Sequence, residues 1–278
     1  MTIEWQPTTE HRAGAVTAES ARALHDLLDI ESPAPQAGDA LPILWHWLAF
    51  LPEARQSDLG PDGHPRTGGF LPPVGDRVRM YAGGTVTRSG LVRIGETLAK
   101  TSGVTSVENK QGRSGDLLFV EVDSRLAGEN GSLNEASNIV YKQPSPFRPG
   151  ALDGDLVDGE WSSGREVSPD PAMLFRFSAL TYNAHRIHYD RSYATEIEGY
   201  PGLVVHGPLQ AILLADLLRG AVPSHIADSF RFRSTAPAFD IDSLQLRLRI
   251  NADRSEAELA AFSGGRRTMT AKATLTHD

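Results

Sequence analysis

The chain of 278 residues contains no cysteine. Disulfide bonds, thiolate metal sites and cysteine nucleophiles are therefore all excluded. No segment approaches the roughly 18 consecutive apolar residues of a membrane-spanning helix, and the first residues do not form a basic segment followed by an apolar one. The sequence thus predicts neither a transmembrane segment nor a secretory signal, and a cytoplasmic protein is the expectation.

The chain has no excess of positive charge, because 35 acidic residues outnumber 27 Lys and Arg residues and the net charge is −8. This balance argues against nucleic acid or an anionic membrane as a general partner. A composition of 40% hydrophobic and 22% charged residues is that of a globular protein. The length allows one large domain or two of about 100–150 residues each.

The second half of the chain combines one apolar helix with several strands. Residues 207–220 are predicted as a buried helix, with Gly207 as N-cap, Pro208 in the first turn, and Gly220 and Pro223 at its end. Strands are predicted from alternating apolar and polar side chains. They cover 229–235, 243–250, 256–263 and 268–276.

The first half shows a similar plan. An amphipathic helix is predicted over 18–30, and the apolar segment 41–51 is predicted as a buried helix, with a strand as its alternative. Strand patterns follow at 77–88, 90–100, 103–109, 116–126 and 136–143. The pattern predicts an α+β fold in which an antiparallel sheet wraps around a buried central helix, twice. The boundaries are 1–142, a polar linker at 143–166, and 167–278.

Three of the nine histidines, His185, His188 and His206, fall within 22 residues, in a segment where SALTYNAHRIHYD begins at Ser178 and VVHGPL ends at Leu209. His185, His188 and Asp190 do not match the ligand spacing of known zinc hydrolases, so no metal site is predicted. A histidine has an ordinary pKa near 6.5 and exchanges protons at neutral pH. The helix that starts at Gly207 offers free N–H groups that can polarise a carbonyl. Acid/base chemistry is favoured over packing alone.

The remaining histidines have no supporting context and receive no role. They are His11, His25, His46, His64, His225 and His277.

The motif resembles that of the MaoC-like, (R)-specific enoyl-thioester hydratases and dehydratases, F-A-x-L-S-G-D-x-N-P-x-H-x-D followed by H-G. The chain as a whole is similar to their double hot-dog branch, which includes type 2 3-hydroxyacyl-thioester dehydratases and mesaconyl-CoA and itaconyl-CoA hydratases. In that branch an altered N-terminal hot-dog precedes an active C-terminal one. The resemblance implies a double hot-dog fold whose N-terminal half shapes the acyl pocket.

The resemblance assigns roles to individual residues. His188 matches the catalytic histidine, and Gly207 matches the glycine whose N–H holds the thioester carbonyl. Asn183 stands where the wider family has its catalytic aspartate, so His188 is expected to move the proton while Asn183 orients the water. His185 and Asp190 are candidates for a second charge, and His206, before Gly207, is expected to support the site. Arg186, Tyr182 and Val205 are the expected substrate contacts.

The implied reaction is the reversible hydration of a 2-enoyl-CoA to a 3-hydroxyacyl-CoA. A short branched dicarboxylic substrate, such as mesaconyl-CoA or itaconyl-CoA, is favoured because Arg186 could bind a second carboxylate. The alternatives are a (3R)-hydroxyacyl-thioester dehydratase of fatty acid synthesis, an acyl-CoA thioesterase using Asp216, and a non-catalytic acyl-thioester binder. The CoA thioester is the substrate, no further cofactor is implied, and either a monomeric pseudo-dimer or a homodimer is expected.

Overall fold

The computed structural model describes residues 5–112, 115–145, 147–148 and 160–277. In this part of the chain the helices are α1 (Ala18–Leu27), α2 (Pro171–Thr181) and α3 (Gly207–Ala221). The strands are β1 (Thr9–Gly14), β2 (Val78–Gly90), β3 (Leu98–Gly112), β4 (Gly115–Ala127), β5 (Gly131–Lys142), β6 (Ser163–Val167), β7 (His225–Ser234), β8 (Leu244–Ile250), β9 (Glu256–Ser263) and β10 (Arg266–His277). None of the described helices is long and apolar enough to cross a membrane.

The strands form one antiparallel sheet in the order β1-β3-β4-β5-β2-β7-β10-β9-β8-β6. The two halves of the chain join where β2 pairs with β7, from Gly83 opposite Arg233 to Thr87 opposite Ser229. A β-bulge next to this junction leaves Ala82 as an extra residue between Tyr81 and Gly83. The predicted α+β class is therefore confirmed, with both halves sharing a single sheet.

The C-terminal half follows the sequence closely. The strand patterns become β7, β8, β9 and β10, and the apolar helix becomes α3, which packs against the sheet. The described core of α3 includes Leu209, Ile212, Leu213 and Leu214, none of which is accessible to solvent. Burying an aliphatic side chain contributes roughly 1.5–3 kcal/mol, so this helix is a main source of stability.

The apolar segment 41–51 is buried as predicted, but neither the helix nor the alternative strand forms. Leu44 has the left-handed φ of 73°, which breaks the helix, and only a 3₁₀ turn at Trp45–Leu48 follows. The turn is held to β5, because the carboxylate of Glu135 accepts hydrogen bonds from the rings of His46 (3.1 Å) and Trp47 (2.9 Å). In the N-terminal half, α1 and this turn bury apolar side chains in one core cluster, among them Leu24, Leu27 and Trp45.

Two further sequence predictions were wrong. The strand predicted at 90–100 is a loop over 91–97, in which Gly95 turns the chain with a φ of 85°, and only its last residues join β3. The predicted linker 143–166 falls partly outside the described residues. Its end is not a linker, because Ser163–Val167 forms the edge strand β6 beside β8.

The β2–β7 junction predicts a sharp difference between two glycines. A side chain at Gly83 would clash with the carbonyl oxygen of Phe232, and the φ of 139° there disfavours any L residue. Gly83→Ala should lower the free energy of unfolding by about 2 kcal/mol or more. Gly103→Ala on β3, where a Cβ meets open space, should change it by less than about 1 kcal/mol. Equal losses in thermal or urea unfolding would contradict the close approach at the junction.

Candidate active site

Three buried histidines meet at the N-terminal end of α3. The rings of His188 and His206 are stacked, with centroids 3.7 Å apart and planes 20° apart. His185 stands perpendicular to His188, at 5.3 Å between centroids. His188 lies at the end of a short 3₁₀ helix, Arg186–His188. The sequence cluster is therefore also a cluster in space.

The hydrogen bonding of His188 fixes which nitrogen can act as a base. Its Nδ1 lies 2.7 Å from the carbonyl oxygen of Val204. A carbonyl only accepts, so Nδ1 carries the proton and Nε2 keeps a free lone pair. Burial lowers the pKa of His188 to about 4, although the bond to Val204 raises it. The ring is therefore neutral at pH 7 and available to accept a proton.

His206 holds the other side of the stack. It is fully buried, its Nε2 lies 2.8 Å from Ser178 Oγ on α2, and burial holds its pKa well below the ordinary value. His206 also occupies the N-cap position of α3, so Gly207 is the first helical residue and not the cap. The ring thus ties α2, His188 and the start of α3 together.

The N-terminus of α3 is the expected carbonyl site. The first N–H groups of a helix have no intrahelical acceptor and carry the positive end of the dipole. Pro208 removes one of them, which leaves those of Gly207 and Leu209. A Cβ on Gly207 would lie 3.6 Å from both Tyr81 Cδ1 and Ser234 Oγ. The site is thus lined by β2 of the other half.

Asn183 has a local structural contact. Its Oδ1 accepts a hydrogen bond of 3.0 Å from the backbone N–H of His185. This turn follows Tyr182, which ends α2 in the left-handed conformation with a φ of 51°. In the MaoC-like pattern a glycine stands at this position, and glycine adopts that conformation freely.

Two of the expected substrate contacts differ in exposure. Tyr182 is 63% exposed, and Val205 is buried, with its N–H bonded to the carbonyl of Ala238.

Arg186 and Asp190 bind each other. The carboxylate of Asp190 accepts from Arg186 Nε at 3.0 Å and Nη2 at 2.8 Å, and also from the N–H of Tyr193 at 3.1 Å. Arg186 Nη1 donates to the carbonyl of Pro61 at 3.0 Å. These contacts favour a positioning role for both residues over the substrate and charge roles expected from the sequence.

Pro61 belongs to a loop of the N-terminal half that the sequence did not connect with the site. The backbone of Asp62 accepts from the N–H of Arg186 at 2.8 Å. Gly63, with a φ of 89°, packs so tightly that a Cβ would overlap the carbonyl oxygen of Ala184. The next residue, His64, then lies against His185, with 4.0 Å between ring centroids. The one signal in the sequence was the glycine- and proline-rich composition of residues 56–73, which is typical of a surface loop, and such loops often carry functional residues.

The loop also brings a hydrogen-bonded pair, Asp62 and His64, to the site. His64 Nδ1 lies 2.9 Å from Asp62 Oδ2. Burial lowers the pKa of His64, partly offset by its bond to Asp62. Burial also pushes the pKa of His185 far below its usual range, and the charges of His64, His188 and Arg79 add to the effect. Asp62, His64 and His185 offer ligand atoms within 4.8 Å of one another, but the charge of Arg79 opposes a cation there.

Comparisons with known proteins agree with the motif. The profile described as hydroxyacyl-thioester dehydratase type 2 matches residues 44–240. A Chloroflexus aurantiacus protein named mesaconyl-C(4)-CoA hydratase is 44% identical over 263 residues, 94% of each chain. A solved MaoC-like dehydratase has a TM-score of 0.70 at 13% identity over 98% of both chains. A Mycobacterium tuberculosis protein described as a double hot-dog has 0.57 at 14%, over 99% of this chain and 97% of its own. The double hot-dog prediction is confirmed.

The conformation of Tyr182 predicts an unusual response to glycine. Tyr182→Gly removes the left-handed strain of a non-glycine residue and should leave stability unchanged or raise it by up to about 1 kcal/mol. Ala179→Gly is the matched control, because Ala179 is an exposed interior residue of the same helix. It should lower stability by about 1 kcal/mol. Thermal unfolding of both variants checks this, and a larger loss in Tyr182→Gly would contradict the strain.

Proposed function

Because the chain belongs to the hydroxyacyl-thioester dehydratase type 2 family, we propose that it is a hydro-lyase that adds water reversibly to the double bond of a 2-enoyl-CoA. The observation that carries the proposal is the neutral, tautomer-fixed ring of His188 beside the free N-terminus of α3. These two features supply what hydration needs, a base for water and a group that stabilises an enolate.

In the proposed reaction, water adds to Cβ and a proton adds to Cα of the enoyl group. The Nε2 lone pair of His188 takes a proton from water while the water oxygen bonds to Cβ of the enoyl group. The double-bond electrons move through Cα onto the thioester oxygen, where the Gly207 N–H and the helix dipole stabilise the negative charge. The imidazolium of His188 then returns its proton to Cα, and the carbonyl re-forms. The product is the 3-hydroxyacyl-CoA, and dehydration is the reverse.

Asn183 cannot exchange this proton, because a carboxamide is not a base at neutral pH. Its Oδ1 is already used by the N–H of His185, but its Nδ2 carries two donors that can orient the water. Asp190 is engaged by Arg186 and the N–H of Tyr193, which favours His188 as the single group that takes and returns the proton.

For the substrate, we propose a short 2-enoyl-CoA that carries a second carboxylate. The support is the relative named mesaconyl-C(4)-CoA hydratase, at 44% identity over nearly the full length of both chains. Asp216 is the carboxylate that a thioesterase would use. It is engaged in ion pairs with Arg165 at 3.2 Å and Arg219 at 2.6 Å, which disfavours that alternative.

Removing the proposed base tests the function. The wild-type protein should hydrate mesaconyl-C4-CoA, and His188→Asn should lower kcat by about 1,000-fold, because the amide cannot accept the proton. The loss of enoyl-thioester absorbance measures both. His11→Asn, an exposed histidine on β1, is the matched control and should keep the parent rate. An active His188→Asn would refute this role.

The depressed pKa of His188 predicts the acid limb of the pH profile. His188 must be neutral to act as a base, and its pKa is about 4 in the folded protein. The value of kcat/KM should therefore stay level from pH 7 to about 5 and fall as the pH approaches 4. A fall centred near the ordinary histidine pKa of about 6.5 would contradict the burial effect.

The same shift requires a folding control. An unfolded histidine binds a proton below about pH 6.5, whereas the folded His188 does so only near pH 4. The unfolded state thus binds more protons in this window, and the stability decreases as the pH falls through it. Circular dichroism at each pH separates a lost base from a lost fold.

A further inference from the structure

Arg79 presents a positive charge to the site from the N-terminal half. It lies on β2 directly opposite Tyr141 of β5, and on the same face of β2 as Tyr81, two residues further on. Besides burial, the Arg79 charge contributes to the lowered pKa values of His64 and His185. The strand register places Arg79 beside Tyr141 and on the Tyr81 side of β2, which is the side that approaches Gly207 of the other half.

Among the described residues, no carboxylate forms an ion pair with Arg79. Within the described part of the chain, no carboxylate or carbonyl oxygen accepts a hydrogen bond from Arg79. Arg79 as a residue is half-buried. Its lack of such an acceptor distinguishes it from Arg186, whose guanidinium is occupied by Asp190 and Pro61.

Beside Arg79 lies a second donor without a partner. Tyr141 is 1% exposed, and among the described residues its hydroxyl has no hydrogen-bond partner. A buried hydroxyl without a partner costs free energy, so such a group points to a ligand that supplies the missing acceptor. Asp62, whose charge also reaches Tyr141, has both oxygens engaged by the ring and the backbone N–H of His64.

The geometry relates this pair of donors to the reacting carbons. Tyr81 lies 3.6 Å from the position of a Gly207 Cβ, and thus next to the proposed thioester site. Two residues along a strand span about 7 Å, which separates Tyr81 from Arg79 on one face. Arg79 is therefore the next side chain along the same face of β2 from the residue that borders the proposed thioester site.

We infer that Arg79 and the hydroxyl of Tyr141 bind the free carboxylate of the acyl group, and so select dicarboxylic enoyl-CoA substrates. The inference rests on the proposed hydration. A guanidinium and a hydroxyl provide the donors that a carboxylate needs. The site is therefore an anion subsite, in contrast to a metal centre built on Asp62, His64 and His185.

Selectivity between two substrates tests the subsite. Mesaconyl-C4-CoA carries the carboxylate, and crotonyl-CoA does not. Arg79→Met should lower kcat/KM for mesaconyl-C4-CoA by about 100-fold, the size of a lost charge-assisted hydrogen bond, and change crotonyl-CoA by less than about 3-fold. Tyr141→Phe should lower the former by about 10-fold with the same selectivity. Arg125→Met, an exposed arginine on β4, is the matched control and should change neither.

The results distinguish a failure of the carboxylate subsite from a failure of the proposed hydratase function. If Arg79→Met lowers both substrates equally, or neither, the carboxylate subsite is wrong. If the wild-type protein hydrates crotonyl-CoA but not mesaconyl-C4-CoA, the subsite is also wrong while the hydratase function stands. If it hydrates neither, the proposed function fails. Should Arg79→Met not fold by circular dichroism, Tyr141→Phe carries the same selectivity test.

Discussion

The burial of the N-cap and the central turns of α3 is the constraint on which the site depends. The N-cap residue His206 is fully buried, and so are the residues from Leu209 to Asp216. The first N–H groups of this helix therefore need partners in the protein or in a ligand. The chain does not give this end a side-chain cap, because the ring of the N-cap residue His206 bonds to Ser178 instead. The fold that buries the helix therefore also prepares a dry, positively polarised position for a carbonyl oxygen.

The second determinant is the contact between the loop 60–64 and the motif of the other half. Asp62 accepts the N–H of Arg186, and Gly63 approaches Ala184 too closely for any side chain. His64 reaches His185 only through this backbone contact. Together with Arg79 and Tyr81 on β2, the loop makes the site a product of both halves. The N-terminal half therefore contributes backbone and ring contacts to the candidate site.

The sequence predicted what depends on local pattern. Strict alternation predicted β8 and β10, because a strand with one buried face leaves a period of two. The apolar run with Pro208 at its start and Gly220 at its end predicted α3. The motif identified His188 and the start of α3. The segment 41–51 was misjudged because one left-handed residue, Leu44, ends a helical pattern without a glycine or proline to announce it. His64 and Arg79 were missed because nothing local connects them to a motif more than a hundred residues away.

The bulge at Ala82 has a consequence for β2 as a whole. Before the bulge, Arg79 and Tyr81 lie on one face of β2; after it, Val86 lies on that same face and in the core. Side chains alternate along a strand, so only an extra residue can bring odd-numbered and even-numbered positions to one side. Deletion of Ala82 would turn Arg79 and Tyr81 to the opposite face of the sheet, although neither residue is itself changed. The extra residue Ala82 therefore determines which side chains of β2 point toward the other half of the chain.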